Sequence, residues 1–141
     1  MKKTILMFTI LLLILFGCTK NEKSTYEVEE TKNEFVDFKF IEDDKGDMIV
    51  EFINKQTKEV TTSSDNSFKI YKVEDESEFK EINNPLAYKD IALIIRPQEG
   101  LKQKIRLSNI ISNLSKGKYE IRKSFDYEDK CFESSLRFAI N

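Results

Sequence analysis

Apolar and polar side chains alternate with a period of two through most of the chain after Phe35. The alternation is clearest in residues 36–40, 104–108, 119–125 and 135–140. Because successive side chains of a strand point to opposite faces, each segment predicts a strand with one buried face. A series of short strands of this kind predicts an all-β sandwich or barrel. Only residues 107–114 are compatible with a helix, and that helix would be short.

Turn-forming residues separate these segments. Residues 43–47 (Asp-Asp-Lys-Gly-Asp) stand between the first two predicted strands, and residues 83–85 and 97–100 each contain a proline. Gly, Pro, Asn and Asp are the residues that tight turns favour. Residues 91–95 are apolar at every position, which predicts a central strand with both faces covered. A chain of 141 residues without repeats holds one core, so residues 35–141 are predicted to form one domain.

Residues 114–119 (Leu-Ser-Lys-Gly-Lys-Tyr) are the most informative local motif. Leu114, a turn that contains Gly117, and Tyr119 at the start of an alternating strand resemble the tyrosine corner of immunoglobulin-like (Ig-like) sandwiches. In that corner the tyrosine hydroxyl bonds to a backbone group a few residues upstream and holds the crossover between two strands. The resemblance implies structural roles for these three residues.

The order of motifs along residues 36–140 resembles a bacterial Ig-like domain family found on Bacillus-type surface lipoproteins. The motifs are residues 68–73, 79–82, 96–100, 104–107 and 117–121. Phe79 stands where that family usually has Trp, and Glu120 stands where it usually has Arg. The resemblance implies an Ig-like β-sandwich of about 7–9 antiparallel strands with a role at the cell surface. It implies no catalytic residues.

The N-terminus has the pattern of an export signal. Lys2 and Lys3 supply a short positive region, and residues 5–16 are apolar except at Thr9. As a helix this run would span roughly 18 Å, well short of the roughly 30 Å hydrocarbon core of a membrane. A secretory signal peptide over residues 1–17 therefore fits better than a transmembrane helix.

Residues 15–18 (Leu-Phe-Gly-Cys) resemble the lipobox of bacterial lipoproteins. The resemblance implies that the Cys18 thiol receives a diacylglyceryl group and that Cys18 becomes the new N-terminus. Two acyl chains provide the two membrane signals that stable anchoring requires. The alternative is an ordinary signal peptide that ends in Cys.

The segment that follows is polar, with only Tyr26 and Val28 to bury. Such a stretch cannot offset its own ordering entropy, so residues 18–34 are predicted to be the lipidated cysteine and a flexible tether. The scarcity of Ala and Gly, with abundant Lys, Ile, Asn and Glu, resembles proteins of low-GC Gram-positive bacteria. The predicted location is the extracytoplasmic face of the cell membrane.

The composition removes several kinds of chemistry. The chain has no His, which excludes Ser-His and Cys-His dyads, the usual general base and the commonest metal ligand. A net charge of −2 provides no excess of positive charge for binding the phosphates of a nucleic acid. No pair of carboxylates stands out by its spacing. We therefore predict a protein that is not an enzyme, holds no cofactor and binds no nucleic acid.

Two acidic segments contain the residue types of calcium sites. In residues 43–47 a Lys interrupts the alternate ligand positions and no Glu stands at the twelfth, so a solvated hairpin turn is the better interpretation. The second segment contains Asp126, Glu128, Asp129 and Glu133, where weak cation binding is the alternative to a solvated surface. We predict no metal site.

Residues 126–134, between the last two predicted strands, are predicted to form a loop that projects from one end of the sandwich. Loops on a rigid scaffold commonly carry recognition, and aromatic residues dominate binding hot spots. Tyr127 and Phe132 are therefore candidate anchors for a partner; the alternative is that both fold back onto the sandwich edge. Cys131 is the only thiol besides Cys18, so it has either no role or an intermolecular disulfide or redox role.

The leading functional interpretation is a lipid-anchored Ig-like module that binds an unidentified protein partner at the cell surface or serves a structural role there. One alternative is an inhibitor or immunity lipoprotein that blocks a secreted toxin or hydrolase. Another is a carrier of a small ligand or cation.

Overall fold

The computed structural model of the chain describes residues 26–29, 31–64, 67–86, 91–111 and 114–141. These residues form ten strands and one short helix. The elements are β1 (Tyr26–Glu29), β2 (Val36–Asp44), β3 (Asp47–Asn54), β4 (Val60–Thr62), β5 (Lys69–Val73), β6 (Phe79–Ile82), β7 (Leu93–Ile95), β8 (Gly100–Ile105), α1 (Ser108–Ile111), β9 (Gly117–Tyr127) and β10 (Lys130–Ile140). The predicted all-β class is confirmed, and α1 lies inside the one segment that was compatible with a helix.

Two antiparallel sheets build the sandwich. In the larger sheet β1, β10 and β9 lie side by side, and β9 then pairs with β4 near its end and with β5 near its start. β7 extends this sheet beyond β4, and β6 extends it beyond β5. The smaller sheet has the order β2-β3-β8. The long β9 strand is therefore the organising strand of the larger sheet.

The core between the sheets is rich in aromatic rings. Phe52 of β3 lies 4.6 Å from Phe38 of β2 and 5.2 Å from Phe125 of β9, measured between ring centroids. Such pairs stabilise a core beyond the area that they bury. Lys123 of β9 is also buried, and its Nζ donates to the carbonyl oxygens of Ser64 at 2.6 Å and Ser67 at 3.0 Å. This buried ammonium group therefore ties the connection between β4 and β5 to the core.

The turn between β2 and β3 has the predicted position and chemistry. Lys45 and Gly46 have φ angles of 55° and 90°. Positive φ at both central residues is the requirement of a two-residue type I′ hairpin turn. The carboxylate of Asp43 accepts a hydrogen bond from the Gly46 N–H at 2.8 Å, which holds the turn closed.

Tyr119 makes the hydrogen bond that is typical of a tyrosine corner. Its hydroxyl donates to the carbonyl oxygen of Ser115 at 2.5 Å, and its ring stacks on Phe138 with centroids 5.7 Å apart. Gly117 has a φ of 150°, a backbone conformation that residues other than glycine rarely adopt. Leu114 packs, partly buried, against the core. The motif thus fixes the entry of the chain into β9.

The prediction of a flexible tether is wrong for residues 26–29. β1 pairs antiparallel with β10, and Tyr26 belongs to the core, with only 4% of the residue exposed. Tyr26 and Val28 alternate with glutamates, so even two apolar residues suffice to add a short strand to the edge of β10. Residues 18–25 and 30, the predicted signal peptide and Cys18 lie outside the described residues.

Residues 91–95 do not form a central strand. β7 begins at Leu93 and pairs with β4 alone among the described strands, and Ile91 and Ile94 are 48% and 59% exposed. An apolar run fits a central and an edge strand equally well, because only the neighbouring strands decide which faces are covered. The total of ten described strands exceeds the predicted seven to nine because β1 and the short β4 fell outside the alternating segments.

Candidate functional site

The predicted recognition loop at residues 126–134 is a tight hairpin turn, so that prediction is wrong. β9 continues to Tyr127 and β10 begins at Lys130, which leaves only Glu128 and Asp129 between them. Glu128 has a φ of 54°, and its carboxylate pairs with Lys58. The acidic residues suggested a loop, but the two strands continue through this segment as far as the turn that joins them.

Tyr127 and Phe132 pack against the core instead of projecting from it. Both are half-buried, and the Phe132 ring lies 4.5 Å from Phe35 and 5.8 Å from Phe125 between centroids. This arrangement is the alternative in which both side chains fold back onto the sandwich. Their burial assigns them a packing role, and nothing in their contacts marks them as anchors for a partner.

Cys131 is an exposed free thiol on β10, opposite Asp126. Partial desolvation and the hydrogen bond to the Asp126 carboxylate raise the pKa of the Cys131 thiol above its ordinary value. A thiol with a raised pKa is protonated at neutral pH and is a weak nucleophile. The geometry therefore does not give Cys131 the environment of a reactive cysteine.

The carboxylates of residues 43–47 are occupied by partners from the protein. Nζ of Lys104 lies 2.7 Å from Asp44 and 3.4 Å from Asp47, and the Ser108 N–H donates to Asp47 at 2.9 Å. Burial alone would raise the pKa of Asp47, but the hydrogen bonds from Ser108 and the contact with Lys104 outweigh it and lower that pKa. Within the described part of the chain, no three His, Cys, Asp or Glu residues are placed to hold a metal ion.

A groove of about 600 Å³ lies between β1 and β2, which belong to opposite sheets. Among the described strands, β1 pairs only with β10 and β2 pairs only with β3, so each presents a free edge to the groove. Apolar side chains from three strands line it, namely Val28 of β1, Phe38 and Phe40 of β2, and Leu136 of β10. Phe38 and Leu136 are buried and form the floor, whereas Val28 and Phe40 are half-buried walls.

Both ends of this β1–β2 groove are closed by contacts. At one end the chain crosses from β1 to β2, where the Asn33 side chain donates to the Ser135 carbonyl at 3.0 Å and accepts from the Ser135 N–H at 2.9 Å. Lys55 donates to the Asn33 carbonyl at 2.7 Å there. At the other end the hydroxyl of Tyr26 donates to the carbonyl oxygen of Gly46 in the β2–β3 turn. The walls of the groove are therefore held at a fixed separation.

The rim of the β1–β2 groove is positively charged. Lys55 pairs with Asp37 at 3.3 Å, and Glu29 pairs with Lys118 at 3.0 Å, so these rim charges are compensated. Lys32 and Lys39 also line the groove, are exposed, and form no ion pair with any described residue. Two exposed lysines without an ion pair to a described residue thus belong to the lining of a groove with an apolar floor.

A second polar cluster lies on the face of the larger sheet that β5, β6, β9 and β10 share. Glu120 is 4% exposed and accepts from Nε of Arg122 at 2.6 Å and from Nε of Arg137 at 2.7 Å. The Arg122 guanidinium lies over the rings of Tyr71 at 4.4 Å and Phe79 at 4.7 Å. These contacts satisfy the buried carboxylate, so the cluster holds four strands together. Phe79 and Glu120, the two departures from the family pattern, meet here.

The sequence interpretation missed both the groove and this cluster. For the groove, the available signal was the alternation of Tyr26 and Val28 with Glu27 and Glu29, which indicates a strand in place of a tether. For the cluster, no local pattern separates Glu120 from an ordinary exposed residue of a strand.

Comparison with known proteins finds a matching sequence family and similar solved structures. The sequence model of the bacterial Ig-like domain family matches residues 31–138. A crystal structure of a protein from Archaeoglobus fulgidus is similar to this chain with a TM-score of 0.34 and 12% sequence identity, covering 79% of this chain and 94% of that chain. No curated protein matches the sequence.

Proposed function

The chain belongs to the bacterial Ig-like domain family, and from this premise we propose that it is a lipid-anchored module that binds a protein partner on the extracytoplasmic face of the cell membrane. The observation that carries the proposal is the family match over residues 31–138. Ig-like sandwiches serve as binding or structural modules, and their function resides in surfaces displayed on a rigid scaffold. The inhibitor or immunity alternative gains no support from the comparisons.

The N-terminal sequence supports the anchor. Residues 5–16 form an apolar run with a positive flank, and residues 15–18 (Leu-Phe-Gly-Cys) place Cys18 where a lipobox has its lipidated cysteine. No helix within the described residues is long and apolar enough to cross a membrane.

The buried charged groups support binding over catalysis. Glu120 is held between two arginines, Lys123 donates to two carbonyl oxygens, and Asp47 accepts from Ser108. A catalytic acid or base needs a proton-transfer position that faces substrate. These three groups are directed at neighbouring parts of the protein, which fits a family whose members are typically non-catalytic.

Crosslinking on intact cells tests the proposed partner. Cells that express the full chain are treated with a membrane-impermeant amine crosslinker, and adducts are identified by mass spectrometry. We expect one dominant protein adduct whose yield falls when purified Cys18→Ala chain is added as a soluble competitor. A set of adducts that the competitor leaves unchanged, or the absence of any protein adduct, would overturn the proposal.

A further inference from the structure

The β1–β2 groove has the size and lining of a small-molecule site. Its volume of about 600 Å³ falls within the range of ligand pockets, which is roughly 300–1,000 Å³. Such pockets are mostly apolar and carry a few polar groups that orient the ligand. Here Phe38 and Leu136 form an apolar floor, and Thr31 and Asn33 line the end where the chain crosses from β1 to β2.

The closed ends decide which kind of occupant fits. The crossing at residues 31–35 blocks one end, and the hydrogen bond from Tyr26 to Gly46 spans the other. A polypeptide strand that ran through the groove along the free edge of β2 would have to displace these contacts. A ligand shorter than the groove would leave them intact, so the geometry favours a compact molecule over an added strand.

The charges decide the chemistry of that molecule. Lys32 and Lys39 are the rim charges that form no ion pair with a described residue, whereas Lys55 and Glu29 have partners of opposite sign. An anionic group on the ligand would compensate both ammonium groups, whereas a cationic ligand would be repelled. The half-buried Val28 and Phe40 offer apolar contact to the remainder of the molecule.

We propose that the β1–β2 groove binds an amphipathic organic anion, with its apolar chain against Val28, Phe38, Phe40 and Leu136 and its anionic head between Lys32 and Lys39. This site goes beyond the proposed protein partner and does not depend on it. The walls are preorganised by their closed ends, so binding does not have to order them.

Titration calorimetry with decanoate tests the proposal on the full chain carrying Cys18→Ala. We expect saturable binding that is weakened about fivefold by Lys32→Gln with Lys39→Gln, the loss expected for two exposed ion pairs. Lys80→Gln with Lys102→Gln is the matched control, because these exposed lysines lie outside the groove, and it should keep the unmodified affinity. Decanol, which lacks the charge, should bind more weakly than decanoate.

Val28→Phe places a larger side chain in the groove and should abolish decanoate binding. Decanoate that bound to the apolar N-terminal segment instead would be unaffected by this substitution, so the variant distinguishes the two binding places. As a measurement that needs no variant, decanoate should slow the acetylation of Lys32 and Lys39 relative to Lys80. The proposal is overturned by no binding up to about 1 mM decanoate, by undiminished binding in a folded Val28→Phe protein, by equal affinity in the two lysine double variants, or by unchanged acetylation.

Discussion

Removing the hydroxyl of Tyr119 isolates the hydrogen bond at the entry to β9. The hydroxyl donates to the Ser115 carbonyl at 2.5 Å, and the Tyr119 residue is 1% exposed. Tyr119→Phe removes the hydroxyl, and with it this bond and the 3.4 Å contact with the Ser115 hydroxyl, while the ring keeps its stacking contact with Phe138. The variant therefore reports on the corner and leaves the packing of the core unchanged.

The expected cost follows from the two partners. The donor of the lost hydrogen bond, Tyr119, is buried, but Ser115, which supplies the acceptor, is exposed. Water can therefore solvate the Ser115 carbonyl in the variant. A loss of about 1–2 kcal/mol in the free energy of unfolding is expected for such a bond. For a domain of this size that corresponds to a decrease in Tm of about 4–8 °C.

Urea unfolding followed by circular dichroism measures this loss. Tyr127→Phe is the matched control, since the Tyr127 hydroxyl makes no hydrogen bond to a described residue and its ring is half-buried. The control should unfold at the midpoint of the unmodified protein. A Tyr119→Phe midpoint equal to that of the control, or a helical spectrum, would refute the corner as a stabilising element of this fold.

Three further changes have defined outcomes. Gly117→Val should lower the free energy of unfolding by about 1–3 kcal/mol, because a φ of 150° is strained for any residue with a side chain. The added Cβ itself has room, since the nearest atom, Lys72 Cε, is 3.8 Å away. An unchanged urea midpoint would contradict this. Phe132→Ala should cost about 2–3 kcal/mol, less than a fully buried Phe, with partner crosslinking retained; lost crosslinking at full stability would restore the interface role. The folded-state pKa of Asp47 is lowered, so its stabilisation is present above its ordinary pKa of about 4 and is lost as the pH falls below that value. Asp47→Asn removes this titration, so the free energy of unfolding of the variant should depend less steeply on pH in that acid range.

Features that depend on nearby residues could be predicted from the sequence. The β2–β3 turn follows from the positive φ that Lys45 and Gly46 supply, and the Tyr119 contact spans only four residues. The strands β2, β9 and β10 follow from alternation with period two. In each case the sequence that specifies the feature is the sequence that forms it.

Features that depend on distant pairing could not. β1 exists because β10 offers an edge to Tyr26 and Val28, and β7 is an edge strand because β4 alone, of the strands that the structure describes, pairs with it. The β1–β2 groove requires two strands of opposite sheets to face each other across Leu136, which no local pattern states. The burial of Glu120 likewise depends on Arg137, which is 17 residues away in the chain.

The lipid anchor is the claim on which the proposed location and function rest, and labelling of Cys18 tests it most directly. Cells that express the full chain or its Cys18→Ala variant are grown with an alkyne fatty acid, fractionated, and treated with external protease while intact. We expect the unmodified chain to carry the label, to sediment with the membrane and to be digested from outside. The Cys18→Ala chain should lack the label and leave the membrane or stay unprocessed. A labelled Cys18→Ala chain, or an unmodified chain without label, would contradict the anchor.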